Sequence, residues 1–263
     1  MRKNTLMVTG SALLLSAAGY FLRKASLKYG FEPGTGLAVL GSPINLALCL
    51  FSLFAAAAAV FAACMATKGY ISQADYRRAF GDKGKMLTIL RVFAGAAILA
   101  HGVLVLVKAE TREVAVWLNG ILPILAAAGI LVSCVLGGKA GKTSRAEELL
   151  LAAVPAFCAI RLLLCYQENA SDPTLLHYAW DVLALAVMSC ATYFTSGYAS
   201  GVRRTKRTVM FLFLAVYFCG VWLAGAAGRD MLLPAGALAY TAELLCRFVL
   251  NLVPEEDENG ETV

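Results

Sequence analysis

Apolar residues in this chain come in long unbroken blocks, not in the every-other pattern of a half-buried strand. Eight such blocks, at 5–22, 43–66, 87–107, 114–136, 149–166, 176–199, 209–227 and 232–253, run from 18 to 24 residues each. A helix rises 1.5 Å per residue, so about 20 apolar residues match the hydrocarbon thickness of a bilayer. Backbone groups inside lipid must be satisfied within the segment itself, which makes each block a helix. The pattern therefore predicts an all-α fold, a polytopic transmembrane bundle of eight spans covering residues 1–253. The longest connection is about 20 residues, too short for a soluble domain between spans. Basic residues and an apolar stretch at the start resemble a signal peptide, but Arg23, Lys24 and seven further blocks follow, so the first block is expected to be retained as span 1.

Composition agrees: 60% of the 263 residues are hydrophobic and 15% charged, against about 45–50% and 25% in soluble domains. All eight cysteines lie within apolar blocks and none forms a C-x-x-C pair, so they read as small buried hydrophobes.

The basic residues supply an orientation. With eight spans, the N-terminus, the second, fourth and sixth connections and the C-terminus share one side. That side carries fourteen Lys and Arg and the other side six. Basic residues concentrate on the cytoplasmic side, so both termini are expected there, in a cell (plasma) membrane. The net charge of +6 then reports topology and attraction to the lipid bilayer, and calls for no nucleic acid.

One basic stretch, GGKAGKTS at 137–144, looks like a phosphate-binding loop. The motif requires glycine five residues before Gly141, and Leu136 stands there; a strand should precede it, and a membrane helix does. Gly137 and Gly138 are better read as the end of span 4, and Ser144-Arg145-Ala146-Glu147 as a capping box that opens span 5. The end of the chain, residues 254–263, has Pro254 as a helix stop. The acidic run Glu255–Glu256–Asp257–Glu258 reads as a solvated, disordered tail through which a protein partner could bind.

Two places rhyme, Glu32-Pro33 after span 1 and Asp172-Pro173 after span 5, each just before the next span. They suggest two parallel four-helix repeat halves, 1–138 and 144–253, related by an axis along the membrane normal. Around the second place, Arg161-Leu162, Ser171-Asp172-Pro173, Tyr178, Leu183-Ala184, Ala191 and Tyr193 resemble a pattern in uncharacterised multi-span bacterial membrane proteins, over about residues 155–207. The resemblance implies a bacterial setting and no activity.

Ionisable groups inside spans are costly and are by default functional candidates. Six occur: Arg91, His101, Arg161, Asp181, Glu243 and Arg247. Glu243 and Arg247, four apart on span 8, share a face and are expected to pair. Arg161 and Asp181 fall at similar depth on the adjacent spans 5 and 6, which suggests an ion pair or an anion contact. Span 6 carries a polar stripe, Tyr178, Asp181, Ser189, Thr192 and Ser196, that reads either as interhelical hydrogen bonding or as a solute route. Arg91 lies near the cytoplasmic end of span 3 and is expected to snorkel. Gly220, Ala224 and Gly228 should let span 7 approach a neighbour closely, and Trp117 and Trp222 should anchor at the outer interface.

These features favour a small-solute transporter or flippase for a small polar or anionic solute, with its route along span 6. The alternative is a non-catalytic membrane accessory, sensor or assembly subunit. No H-E-x-x-H or G-x-S-x-G occurs and only two histidines are present, so a membrane-embedded enzyme ranks third, and no metal or cofactor is expected.

Overall fold

The computed structural model describes residues 3–32, 35, 37–73, 75–81, 84–108, 114–136, 144–169 and 175–254. Most of the GGKAGKTS stretch, the acidic run 255–258, Pro33 and Asp172-Pro173 lie outside the described residues.

Eight long helices stand where the apolar blocks fall: α1 Lys3–Tyr29, α2 Pro43–Thr67, α4 Lys85–Val107, α5 Val114–Leu136, α6 Arg145–Asn169, α7 Leu175–Ser196, α8 Thr205–Gly225 and α9 Leu232–Leu250. A short helix, α3 (Tyr76–Ala79), lies in the α2–α4 connection, and two-residue strands β1 (Tyr70–Ile71) and β2 (Val253–Pro254) pair antiparallel. Seven of the long helices, α2 and α4 to α9, are long and apolar enough to cross a membrane. The chain is a polytopic, all-α membrane bundle.

Two helices form its centre. In the apolar windows of α8 and α9, 72% and 78% of residues are buried, against 33–39% in the other five membrane-length helices. Those five therefore keep a lipid-facing side, and α8 and α9 do not. Each neighbour in the series α4, α5, α6, α7, α8, α9 packs on the next, and α9 returns to α4, which closes a ring of six. The α1–α2 hairpin packs outside this ring, mainly on α8. The helices of the first half of the chain are thus parted by α8 and α9: α1–α2 lies against one and α4–α5 against the other.

Close approach depends on small residues. At Gly220 a Cβ would stand 2.0 Å from Ser16 Oγ and 3.1 Å from the Ser16 carbonyl oxygen, so α8 and α1 meet nearly backbone to backbone. The same contact lets Ser16 Oγ donate to the Val216 carbonyl at 2.9 Å. Gly228 does not share that face: α8 ends at Gly225, and Gly228 opens a 3-10 turn with φ +58°, a left-handed value suited to glycine. Trp222 is buried and is not an interface anchor, whereas Trp117 is exposed. All eight cysteines are free.

The α2–α4 connection closes one end of the ring. Strand β1 pairs with β2 beyond α9, with Ile71 opposite Val253. Ser72 Oγ lies 2.8 Å from both Tyr198 Oη and Thr205 Oγ1. Arg77 forks onto Glu147 at 2.9 and 3.1 Å, and Glu147 and Ser144 form the expected capping box at the start of α6. Asn251 Nδ2 donates to the Ala79 carbonyl at 3.0 Å, and Phe80 stacks on Phe248. These bonds bring the second, fourth and sixth connections and the segment after α9 to a single end, the one rich in Lys and Arg. Helix α1 starts beside Met65 and Phe213 near that end and finishes beside Asn45 at the opposite one.

Candidate functional site

Behind the α3 plug lies a buried ionic cluster. Arg91 is six residues into α4 and Glu243 seven residues before the end of α9, about 10 Å inside the helix ends at 1.5 Å per residue. Arg91 Nε donates to Glu243 Oε2 at 2.9 Å, and Arg91 Nη2 lies 2.9 Å from Glu243 Oε1. Arg247 Nε donates to the same Oε1 from one turn further along α9. The expected Glu243–Arg247 pair is therefore present, but it is two thirds of a triad. Arg91 does not snorkel: it is 1% exposed and turned inward. Its guanidinium head finds a carboxylate and a serine, which a bilayer surface would otherwise have to replace.

The remaining donors are also directed. Arg91 Nη1 reaches the hydroxyl and carbonyl of Ser133 on α5 at 3.2 and 3.3 Å. Arg247 donates to Thr88 Oγ1 at 3.0 Å and to the Gly81 carbonyl at 3.4 Å. Tyr76 on the plug is buried facing Arg91, Glu243 and Ser133; burial raises its phenol above the ordinary value, so it stays neutral. The triad thus ties α4, α5, α9 and the plug together. Within it, two guanidiniums contact the one carboxylate of Glu243.

A second polar group occupies the opposite end. Arg161 Nη1 bonds both oxygens of Glu168 at 3.1 Å and Asn119 Oδ1 at 3.1 Å, and Asn119 donates to Glu168 at 3.0 Å. The partner of Arg161 is thus Glu168, seven residues on along its own helix, and not Asp181 as the depths suggested. A carboxylate on the same face and two turns away is nearer than one across a helix interface. Asp181 on α7 is half-buried among α1, α6 and α8, where Arg23 and Arg161 are the cations that act on it. Arg23 was counted among the loop residues by sequence, yet α1 extends to Tyr29 and buries it, its guanidinium 5.8 Å from the Phe31 ring.

Between the two groups run the span-6 hydroxyls, all on α7. Ser189 Oγ donates to the Pro155 carbonyl of α6 at 3.4 Å. Thr192 bonds the Met188 carbonyl at 2.8 Å and Ser196 the Tyr193 carbonyl at 3.0 Å, both within α7. Tyr178 is buried near the Asp181 end. Glu243 and Arg247 belong to the triad, Arg161, Tyr178 and Asp181 to the opposite end, and Ser189, Thr192 and Ser196 to the stretch between.

Ser133, Tyr76 and Thr88 join the site without having been marked, and Arg91, one of the six intramembrane candidates, joins it where snorkelling was expected. Arg91 carried a signal, since an arginine six residues inside a span is costly unless paired. The others are ordinary polar residues whose convergence comes only from helix packing. Among the described residues no three His, Cys, Asp or Glu side chains converge as a metal site. No protein-family model, curated protein or solved structure matches the chain, so the resemblance over residues 155–207 gains no support from them.

Proposed function

We propose that this chain is a small-anion transporter of a bacterial cell membrane, with eight crossings and its basic end in the cytoplasm. The observation that supports it best is the buried Arg91–Glu243–Arg247 triad, set inside the six-helix ring behind the plug. Ionisable groups held inside a membrane bundle mark ion and solute pathways, and two guanidiniums there favour an anion. Arg23, Arg161 and Asp181 lie at the other end of the ring, so charged groups flank a drier middle. The plug of residues 70–73 and 75–81 then acts as the inner gate, and the α7 stripe from Asp181 to Ser196 as one wall of the route. The eighth crossing, α1, is favoured by its length and by its contacts near both ends of the bundle. Fourteen Lys and Arg against six favour the orientation.

The test is anion flux into proteoliposomes holding the purified chain, with chloride, phosphate and small carboxylates supplied in turn. At least one anion should enter above the rate of empty vesicles, and Asp181→Asn and Arg161→Ala should each slow it while the protein stays folded. Folded protein that passes none of them overturns the reading.

A second reading, a non-catalytic accessory or sensor subunit, is favoured by one observation. Three stripe hydroxyls already donate to helix carbonyls, as static packing requires. It expects a partner that co-purifies with the chain and is lost when residues 255–263 are deleted; a partnerless chain that moves an anion excludes it.

A further inference from the structure

Away from the triad, the basic end carries a concavity of about 430 Å³ between α6, the end of α7 and the α7–α8 connection. Its volume lies within the range that encloses a small ligand, about 300–1,000 Å³. Ala152, Pro155 and Ala156 of α6 form one wall and Phe194 the other, so the body of the groove is apolar. Ala152 and Ala156 are exposed and one turn apart, on the outward face of α6. In a membrane protein that face meets lipid and not water.

The rim of the groove is Arg204, whose guanidinium sits 5.9 Å from the Phe194 ring centre. Arg204 also lines a second, shallow concavity with Thr205, Lys206 and Arg207 at the start of α8. Arg203, Arg204, Lys206 and Arg207 are all exposed. Among the described lining residues, the three cations Arg204, Lys206 and Arg207 stand against the carboxylate of Glu148, so the rim is positive by two. An apolar slot that continues, through one shared arginine, into a basic shelf has the two-part shape of a lipid: chain in the slot, phosphate on the shelf.

We propose that this groove binds one anionic phospholipid of the leaflet at the basic end, an acyl chain between α6 and α7 and the phosphate on Arg204, Lys206 and Arg207. The groove shares Ser196 with the end of the proposed route but opens toward lipid, and lipid binding there does not depend on anion transport. Charge complementarity selects the occupant, because each basic residue near an anionic surface strengthens attachment about fivefold. A zwitterionic lipid would fill the slot without neutralising the shelf.

The experiment is native mass spectrometry of the detergent-purified full chain titrated with dioctanoyl phosphatidylglycerol, dioctanoyl phosphatidylcholine or inorganic phosphate. Phosphatidylglycerol should bind at least about fivefold more tightly than phosphatidylcholine, and phosphate alone far more weakly. Arg204→Gln should reduce phosphatidylglycerol affinity about fivefold and leave phosphatidylcholine nearly unchanged. Ala156→Trp, or the milder Ala152→Leu, should weaken both lipids by filling the slot from an exposed position. Equal affinity for the two lipids, phosphate binding as tight as phosphatidylglycerol, or unchanged binding in both filled-slot variants would overturn the proposal.

Discussion

Replacing Glu243 by Gln tests whether net charge governs the stability of the buried triad. The substitution keeps the volume and a hydrogen-bonding oxygen, and removes only the negative charge. In the wild type, two guanidiniums share the Glu243 carboxylate, with all three side chains at most 3% exposed. Glu243→Gln removes the negative charge that both guanidiniums contact. Removing one partner of a buried ion pair costs about 3–5 kcal/mol. For a chain of this size each kcal/mol moves the midpoint by about 2–4 °C, so the variant should unfold about 6–20 °C lower. Arg91→Met differs, because Glu243 keeps a cationic partner in Arg247. It forfeits the bonds to Ser133, yet should lose less than about 2 kcal/mol, since the buried carboxylate stays paired. Thermal unfolding of the purified protein in detergent, followed by tryptophan fluorescence, measures both. The midpoints should also be insensitive to salt between 0.1 and 1 M, since buried pairs are screened little. Arg91→Met as damaging as Glu243→Gln would refute the reasoning, because lost contacts and not net charge would then set the cost.

Further outcomes follow from particular contacts. Gly129→Val should destabilise by about 1–3 kcal/mol, because a Cβ there would stand 2.2 Å from the Leu150 carbonyl oxygen, whereas Gly10→Ala, with nothing within 4 Å, should be neutral or stabilise by up to about 1 kcal/mol; thermal midpoints decide. Ile71→Cys with Val253→Cys, directly opposed across β1 and β2, should form a disulfide and hold the plug shut, so that anion flux falls until a reductant is added; undiminished flux in the oxidised protein removes the plug from the gating role. In a cysteine-free background, Lys206→Cys should resist a membrane-impermeant maleimide in intact cells while Arg229→Cys reacts; the reverse labelling inverts the proposed orientation.

Helix positions were legible in the chain because lipid imposes a demand on single segments. A bilayer-length run of apolar residues must satisfy its own backbone, so each long helix could be read without reference to any other. The same local logic located the Ser144–Glu147 capping box and the Glu243–Arg247 pair, whose partners lie three and four residues apart. What sequence could not supply was the identity of neighbours in the bundle, since every lipid-tolerant face looks alike in composition. Packing alone decided that α8 and α9 are central, that α1–α2 and α4–α5 lie apart, and that Arg91 turns inward 152 residues from its carboxylate. It also folded residues 70–73 and 75–81 under the ring. The reason is physical: in lipid, apolar surface does not select partners, so association rests on close backbone approach at glycines such as Gly220 and on polar groups that must be matched one to one.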